Sequence, residues 1–247
     1  MPGADMLEVA IRGKVYRASR GVARTILHDV GFTAQAGEII ALLGRSGIGK
    51  STILRIALGL DLDFDGSVHM SPTRLGVMFQ EPRLLPWLSV EDNLRLVRPD
   101  GMPEPDIDTL LSDVLLPPVR NLIPSALSLG MARRAALARA FAVDPGILVL
   151  DEPFASLDQN LGAALGTRIV ERVRRHNTLV LLSTHDVDQA LAMATRVLVI
   201  AGEPATLAAD VAVPAESAAM GQVRQDLLTR FTFLGRSGGE ADGDAQG

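Results

Sequence analysis

The sequence predicts an α/β protein in which a core of largely parallel strands carries a phosphate-binding loop, joined to an antiparallel β piece and a small helical insert. Short β-rich apolar runs alternate with longer helical patterns along the 247 residues, the texture of strand–helix–strand units. The stretch "LLGRSGIGKST", Leu42 to Thr52, links one such apolar run to one such helical pattern through a glycine-rich turn. A segment from Glu81 to about Ser125 is studded with prolines, which end helices and bias the preceding residue toward extended geometry, so it reads as a helical insert rather than more sheet.

From the N-terminus onward, apolar residues alternate at Leu7, Val9 and Ile11 and again at Val30, Phe32 and Ala34. That period of two predicts half-buried strands, and Leu7 to Ala36 is read as the antiparallel piece. Core strands are expected at Ile39 to Leu43, Gly76 to Phe79, Ile147 to Leu150, Leu179 to Ser183 and Val197 to Ile200. Helical patterns run over Thr52 to Leu60, Asp108 to Leu116, from near Met131, and over Val187 to Ala194. Residues 1–235 are read as one domain with its insert at about residues 81–135. The tail "SGGEADGDAQG", Ser237 to Gly247, has too few apolar groups to offset its ordering entropy, and residues 236–247 are expected to be disordered. Ligands of open α/β sheets collect at the carboxyl ends of the strands. Here those ends carry Gly44, Gln80, Asp151 with Glu152, and His185.

Composition removes several classes. The longest apolar runs fall far short of the roughly 20 residues needed to cross a bilayer, and Met1 to Met6 has no basic segment leading into an apolar one, so neither a span nor a secretory signal is expected. There is no cysteine, which excludes disulfides and thiolate metal sites and fits a reducing compartment. A net charge of -5 argues against a nucleic-acid partner, because such binding depends on clustered cations. The two basic clusters, Arg133-Arg134 and Arg172 to Arg175, read as solvated helix faces.

The chemistry is concentrated in a few motifs. Gly44, Arg45, Ser46, Gly47, Ile48, Gly49, Lys50 and Ser51 fit G-x-x-x-x-G-K-[ST], with Thr52 opening the helix-like run that follows. Glycines let backbone N–H groups approach phosphate oxygens, and the next helix points its positive end at the same place. Lys50 is expected to reach the β- and γ-phosphates of a nucleotide, and Ser51 to ligate Mg²⁺. "ILVLDEP", Ile147 to Pro153, ends an apolar run in two acids. Asp151 is expected to hold the metal through a water and Glu152 to orient and deprotonate the attacking water. Between these lies "LSLGMARRAALARA", Leu127 to Ala140, where Ser128 and Gly130 precede a helical run and make a second anion-attracting helix terminus.

Order and spacing together make the sequence resemble the nucleotide-binding subunit of an ATP-binding-cassette (ABC) transporter, from about Leu7 to Gly235. The motifs that carry the resemblance are "GRSGIGKST", Gln80 in "VMFQEP", "LSLGM", "ILVLDEP", "SLD" at Ser156 to Asp158, and His185 in "STHD". The resemblance implies an ABC-type phosphate-loop core that hydrolyses ATP with Mg²⁺. It assigns Gln80 to sensing the metal and the attacking water, His185 to the γ-phosphate, and Ser128, Gly130 and Asp158 to nucleotide contacts, with the signature acting across a head-to-tail dimer. Tyr16 stands where the family has an aromatic stacked on adenine; a partly buried strand tyrosine is the other reading.

"LLPWLSVEDN", Leu84 to Asn93, resembles importers of the nitrate, sulfonate and taurine group. That architecture implies two copies of this chain on transmembrane permease subunits at the cytoplasmic face of the inner membrane, supplied by a periplasmic solute-binding protein. The chain ends soon after its core, so no regulatory C-terminal domain is expected. Trp87 is either a docking contact or a buried anchor of the insert. Two residues depart from the family pattern. Leu129 replaces the first glycine of the signature, at a cost of about 1–2 kcal/mol or more if the position needs φ > 0 or very close approach to phosphate, and Ile48 is bulkier than usual. They motivate one alternative, a cassette that binds ATP but hydrolyses it poorly; a nucleic-acid-associated cassette ATPase is a second.

Overall fold

The fully apolar runs become the middle of a six-stranded sheet. The computed structural model describes residues 6–17 and 23–235; the N-terminal Met1 to Met6 reading falls almost wholly, and the tail reading at 236–247 entirely, outside them. The strands are β1 (Met6–Arg17), β2 (Ala23–Gln35), β3 (Ile39–Leu43), β4 (Asp65–Met70), β5 (Leu75–Met78), β6 (Ile147–Asp151), β7 (Leu179–Thr184), β8 (Arg196–Ala201) and β9 (Thr206–Ala212). The helices are α1 (Lys50–Ala57), α2 (Val90–Leu96), α3 (Ile107–Asp113), α4 (Leu129–Ala142), α5 (Gln159–His176), α6 (Val187–Met193) and α7 (Ser217–Arg230).

The large sheet runs β5-β6-β7-β3-β8-β9, with its first five strands parallel and β9 antiparallel at the edge. Every residue of β3, β6 and β7 is buried, as strands covered on both faces must be. The smaller sheet, β2-β1-β4, is antiparallel, as the alternation predicted. Its inward residues Leu7, Val9, Ile11 and Phe32 pack with Ile40, Leu42 and Ile53 in one core, while α3, α4 and α5 pack a second core on the other face of the large sheet. Two strands, β4 and β9, and helix α7 were not expected. Their residues are mostly half-exposed or exposed, so they lack the apolar runs that betray central elements. The expected strand Gly76 to Phe79 lies one residue earlier.

The insert forms short helices with local caps. Ser89 accepts from the amide of Asp92, and Asp106 from that of Thr109. Asn93, fully buried, stitches the loop before α2: its Nδ2 donates to the carbonyls of Leu85, Leu88 and Ser89, and its Oδ1 accepts from the Leu85 amide. This loop presents Trp87 at 72% exposure. The buried-anchor reading of Trp87 is therefore wrong; its neighbours Leu84 and Asn93 do the anchoring.

The basic clusters are also corrected. Arg133 is buried and donates to the carbonyl of Ala155; Arg134 donates to the carbonyls of Gly130 and Leu115. Arg172 bonds Asp113 at 2.9 Å and lies over the Phe141 ring. Only Arg174 and Arg175 are the expected exposed face. A long arginine can carry its charge inward when main-chain carbonyls receive it, and sequence spacing does not reveal those carbonyls.

Candidate functional site

The adjacency of β6, β7 and β3 brings three sequence-distant strand ends together. In register Asp151 faces Ser183 and Leu43 faces Thr184, and the chain turns from β3 into the loop Gly44 to Gly49. Gly44 must be glycine, because a Cβ there would lie 2.6 Å from the carbonyl oxygen of Ile200. Gly47 (φ 76°) and Gly49 (φ 116°) occupy the left-handed region that glycine adopts without strain. Arg45, Ser46 and Gly47 are exposed; Ile48 is half-buried against the apolar core under β1 and β2. Gly49 caps α1 with no side-chain hydrogen bond, so the helix terminus keeps backbone donors for a ligand.

Lys50 is 4% exposed. Its ammonium donates to the carbonyls of Gly44 (2.8 Å) and Arg45 (3.0 Å) and lies 3.8 Å from Glu152 Oε1. Burial lowers its pKa, and the charges of Glu152 and Asp151 oppose that only in part. A buried ammonium held on two carbonyls is poised to exchange them for stronger anionic partners.

The acidic pair is built around a residue that sequence reasoning passed over. Ser183, fully buried, donates to Asp151 Oδ1 at 2.6 Å, and its hydroxyl oxygen accepts from the Glu152 amide at 3.0 Å. Ser51 donates to the same Asp151 oxygen at 3.1 Å. Glu152 has φ 50°, a left-handed conformation costly for a non-glycine residue, and it extends its carboxylate to 3.8 Å from both Lys50 Nζ and His185 Nδ1. His185 itself is half-exposed. The only clue to Ser183 in the sequence was a polar residue closing an apolar strand two positions before His185.

Tyr16 stands at the flank. Its hydroxyl is 3.5 Å from Thr52 Oγ1 and 3.4 Å from Asp61, and its ring, 41% exposed, has the Lys14 ammonium 4.8 Å from its centroid. The tyrosine, in β1, therefore stands next to the phosphate-loop helix. Gln80 is exposed two residues after β5, at the edge of the same sheet.

A second group sits elsewhere. Ser128 caps α4, its hydroxyl accepting from the Met131 amide, and a Cβ at Gly130 would lie 3.4 Å from Leu157. Asp158, exposed, caps α5 by accepting from the Leu161 amide. Signature and "SLD" loop thus adjoin, and among the described residues no hydrogen bond or ion pair links Ser128, Gly130 or Asp158 to Lys50, Asp151 or Glu152. Leu129 lies in the first turn of α4 and is not among the residues with positive φ. The position does not need φ > 0, because the helix begins immediately after Ser128 rather than near Met131.

A family model described as ABC transporter matches residues 27–155. The chain belongs to the ABC transporter family. Membership makes it an ATPase of that family. An aliphatic sulfonates import ATP-binding protein of Burkholderia lata is 45% identical over 208 residues, 81% of this chain and 74% of that one. A like-named protein of Pseudomonas syringae is 45% identical over 74% of this chain and 79% of that one. In fold, this ABC chain is similar to a dimeric ATP-binding cassette bound to ADP and Pi (TM-score 0.76, 23% identity, 85% of this chain and 100% of that one). It is also similar to an ATP-binding subunit of an ABC transporter (TM-score 0.72, 25% identity, 94% of this chain and 95% of that one).

Proposed function

We propose that the chain is the ATP-hydrolysing subunit of an importer that moves aliphatic sulfonates or related small anions across the bacterial inner membrane. The observation that carries the reading is the convergence of Lys50, Ser51, Asp151, Glu152 and His185 at the ends of β3, β6 and β7. The solute class rests on the names of the relatives and on the likeness of "LLPWLSVEDN" to that importer group.

ATP would lie with its phosphates against the amides of Gly44 to Ser51 and its base beside Tyr16, near Thr52. Lys50 would pass its hydrogen bonds from the Gly44 and Arg45 carbonyls to phosphate oxygens. The Ser51 hydroxyl and Asp151 carboxylate share a 3.1 Å contact and are both hard oxygen donors, a fit for Mg²⁺. When bound, Mg²⁺ would neutralise charge on the phosphates. Among the described residues no three His, Cys, Asp or Glu side chains cluster to hold a metal by themselves, in keeping with an ion that retains waters and phosphate oxygens. Glu152 would take the proton of the attacking water, with His185 on the γ-phosphate and Gln80 sensing the metal. Ser128, Gly130 and Asp158 would act on the nucleotide of a second copy, so that ATP closes the dimer and hydrolysis opens it.

The partners would be a second copy, transmembrane permease subunits and, through them, a periplasmic solute-binding protein. Among the described residues no helix is long and apolar enough to cross a membrane; the relatives' names as import ATP-binding proteins support work at the cytoplasmic face, on the permease subunits. The test is Glu152→Gln with ATP and Mg²⁺, weighed by light scattering beside a nucleotide-free control. An ATP-dependent dimer that Ser128→Arg abolishes is expected; ATP binding without any dimer would overturn the trans role of the signature.

A further inference from the structure

Arg133 is a buried arginine whose surroundings do not favour burying a charge. Among the described residues its guanidinium makes one hydrogen bond, from Nη1 to the carbonyl of Ala155, and Nε has no partner. A buried donor without an acceptor is destabilising, and an apolar side chain of similar volume would sit there at least as well. Stability alone therefore does not account for an arginine. What an apolar chain cannot supply is the hold on Ala155.

Ala155 lies in a turn with an unusual backbone. Its amide donates to the carbonyl of Glu152 at 3.2 Å, and Glu152 (φ 50°) and Ser156 (φ 68°) on either side are both left-handed non-glycine residues. Such conformations persist only where the surroundings enforce them. Ser183 holds the Glu152 end through its hydroxyl and its carbonyl, at 3.0 and 3.2 Å from the Glu152 amide. Arg133 holds the other end. It reaches there from α4, whose N-cap is Ser128 and whose Gly130 runs so near the same loop that a Cβ there would lie 3.4 Å from Leu157 and 3.9 Å from the Ser156 carbonyl.

We propose that Arg133 is a positioning residue: it fastens the turn Glu152 to Ser156 to the signature end of α4 and thereby sets the carboxylate of Glu152 toward Lys50 and His185. The inference rests on the role given to Glu152 above. It makes the signature helix and the hydrolytic carboxylate of one subunit a single mechanical unit.

Three variants of the full chain test it, Arg133→Met, Arg133→Lys and Glu152→Gln, each followed by thermal melting, hydrogen exchange of the segment 152–158, and single-turnover phosphate release with ATP and Mg²⁺. Arg133→Met is expected to melt no lower than the parent, to exchange faster in 152–158 but not in α4, and to lose about tenfold or more in the rate of release with ATP affinity unchanged. Arg133→Lys, which keeps one donor for Ala155, is expected to recover most of both. Unchanged exchange in 152–158, or a loss of release that tracks a fall in melting temperature, would overturn the proposal. Full release in Glu152→Gln would instead overturn the reading of Glu152.

Discussion

Ser183 donates a 2.6 Å hydrogen bond to Asp151 from the neighbouring strand, and the same hydroxyl accepts from the amide of Glu152. One buried side chain thus orients one acid and fixes the backbone of the next. Ser183→Ala removes both contacts at once, leaving Asp151 with Ser51 and Glu152 with the Ser183 carbonyl. Magnesium-dependent phosphate release should fall about 10- to 100-fold, the usual cost of losing a group that orients metal-binding residues. Release equal to the parent's would reduce Ser183 to a packing residue.

Lys14, 2% exposed, donates to Asp61 at 2.7 Å and to the carbonyl of Asp63, and covers one side of the Tyr16 ring. With Asp61 and Thr52 at the hydroxyl, Tyr16 is held with its rotation restricted. Lys14→Met should raise KM for ATP about three- to tenfold, the loss of a partly desolvated cation–π contact, while kcat stays near the parent's. Stability should fall by about 2 kcal/mol, since Asp61 loses a charged hydrogen bond. A drop in kcat with unchanged KM would argue against a base-binding role for Tyr16.

Acid should weaken the fold through the same pair. Burial raises the pKa of Asp61, but the hydrogen bond and charge of Lys14 outweigh it and leave the carboxyl below its ordinary 3.8. A depressed carboxylate contributes its stability fully above the unfolded-state value and loses it as pH falls from there through the folded value. Urea melts taken from about pH 5 down to about pH 3 should therefore show stability declining in the lower part of that window, and Asp61→Asn should flatten the decline. An identical acid slope in the variant would assign the effect to other carboxylates, such as Asp188, which Arg224 holds low.

Trp87, on the loop secured by Asn93, buries too little surface to stabilise the subunit. Trp87→Ala should change the unfolding free energy by no more than about 0.5 kcal/mol and leave ATP binding intact. Solute uptake by the assembled transporter should fall. A large loss of stability would mean that the exposed ring anchors the insert after all.

Much of the site was legible because its signals are local. Gly44, Gly47 and Gly49 are needed for the geometry of a single turn, the burial of β3, β6 and β7 follows from uninterrupted apolar runs, and Asp151 with Glu152 ends one of them. Each is decided within a few residues of chain, so composition and spacing suffice. The capped start of α4 at Ser128 is of the same kind, whereas the sequence left open whether Leu129 needs φ > 0, and the helical backbone answers that it does not.

What only the tertiary structure decided depends on residues far apart in sequence. The strand order β6-β7-β3 sets Ser183 against Asp151, 32 positions earlier. It also decided that Arg133 and Arg134 turn inward, that Trp87 points out, and that the half-exposed strands β4 and β9 complete their sheets. The amino-acid sequence by itself determined the chemical groups and the turns that present them. Whether a polar group is buried, and what receives its hydrogen bonds, was left to the packing of distant segments, because desolvation and pairing are properties of the neighbours and not of the residue.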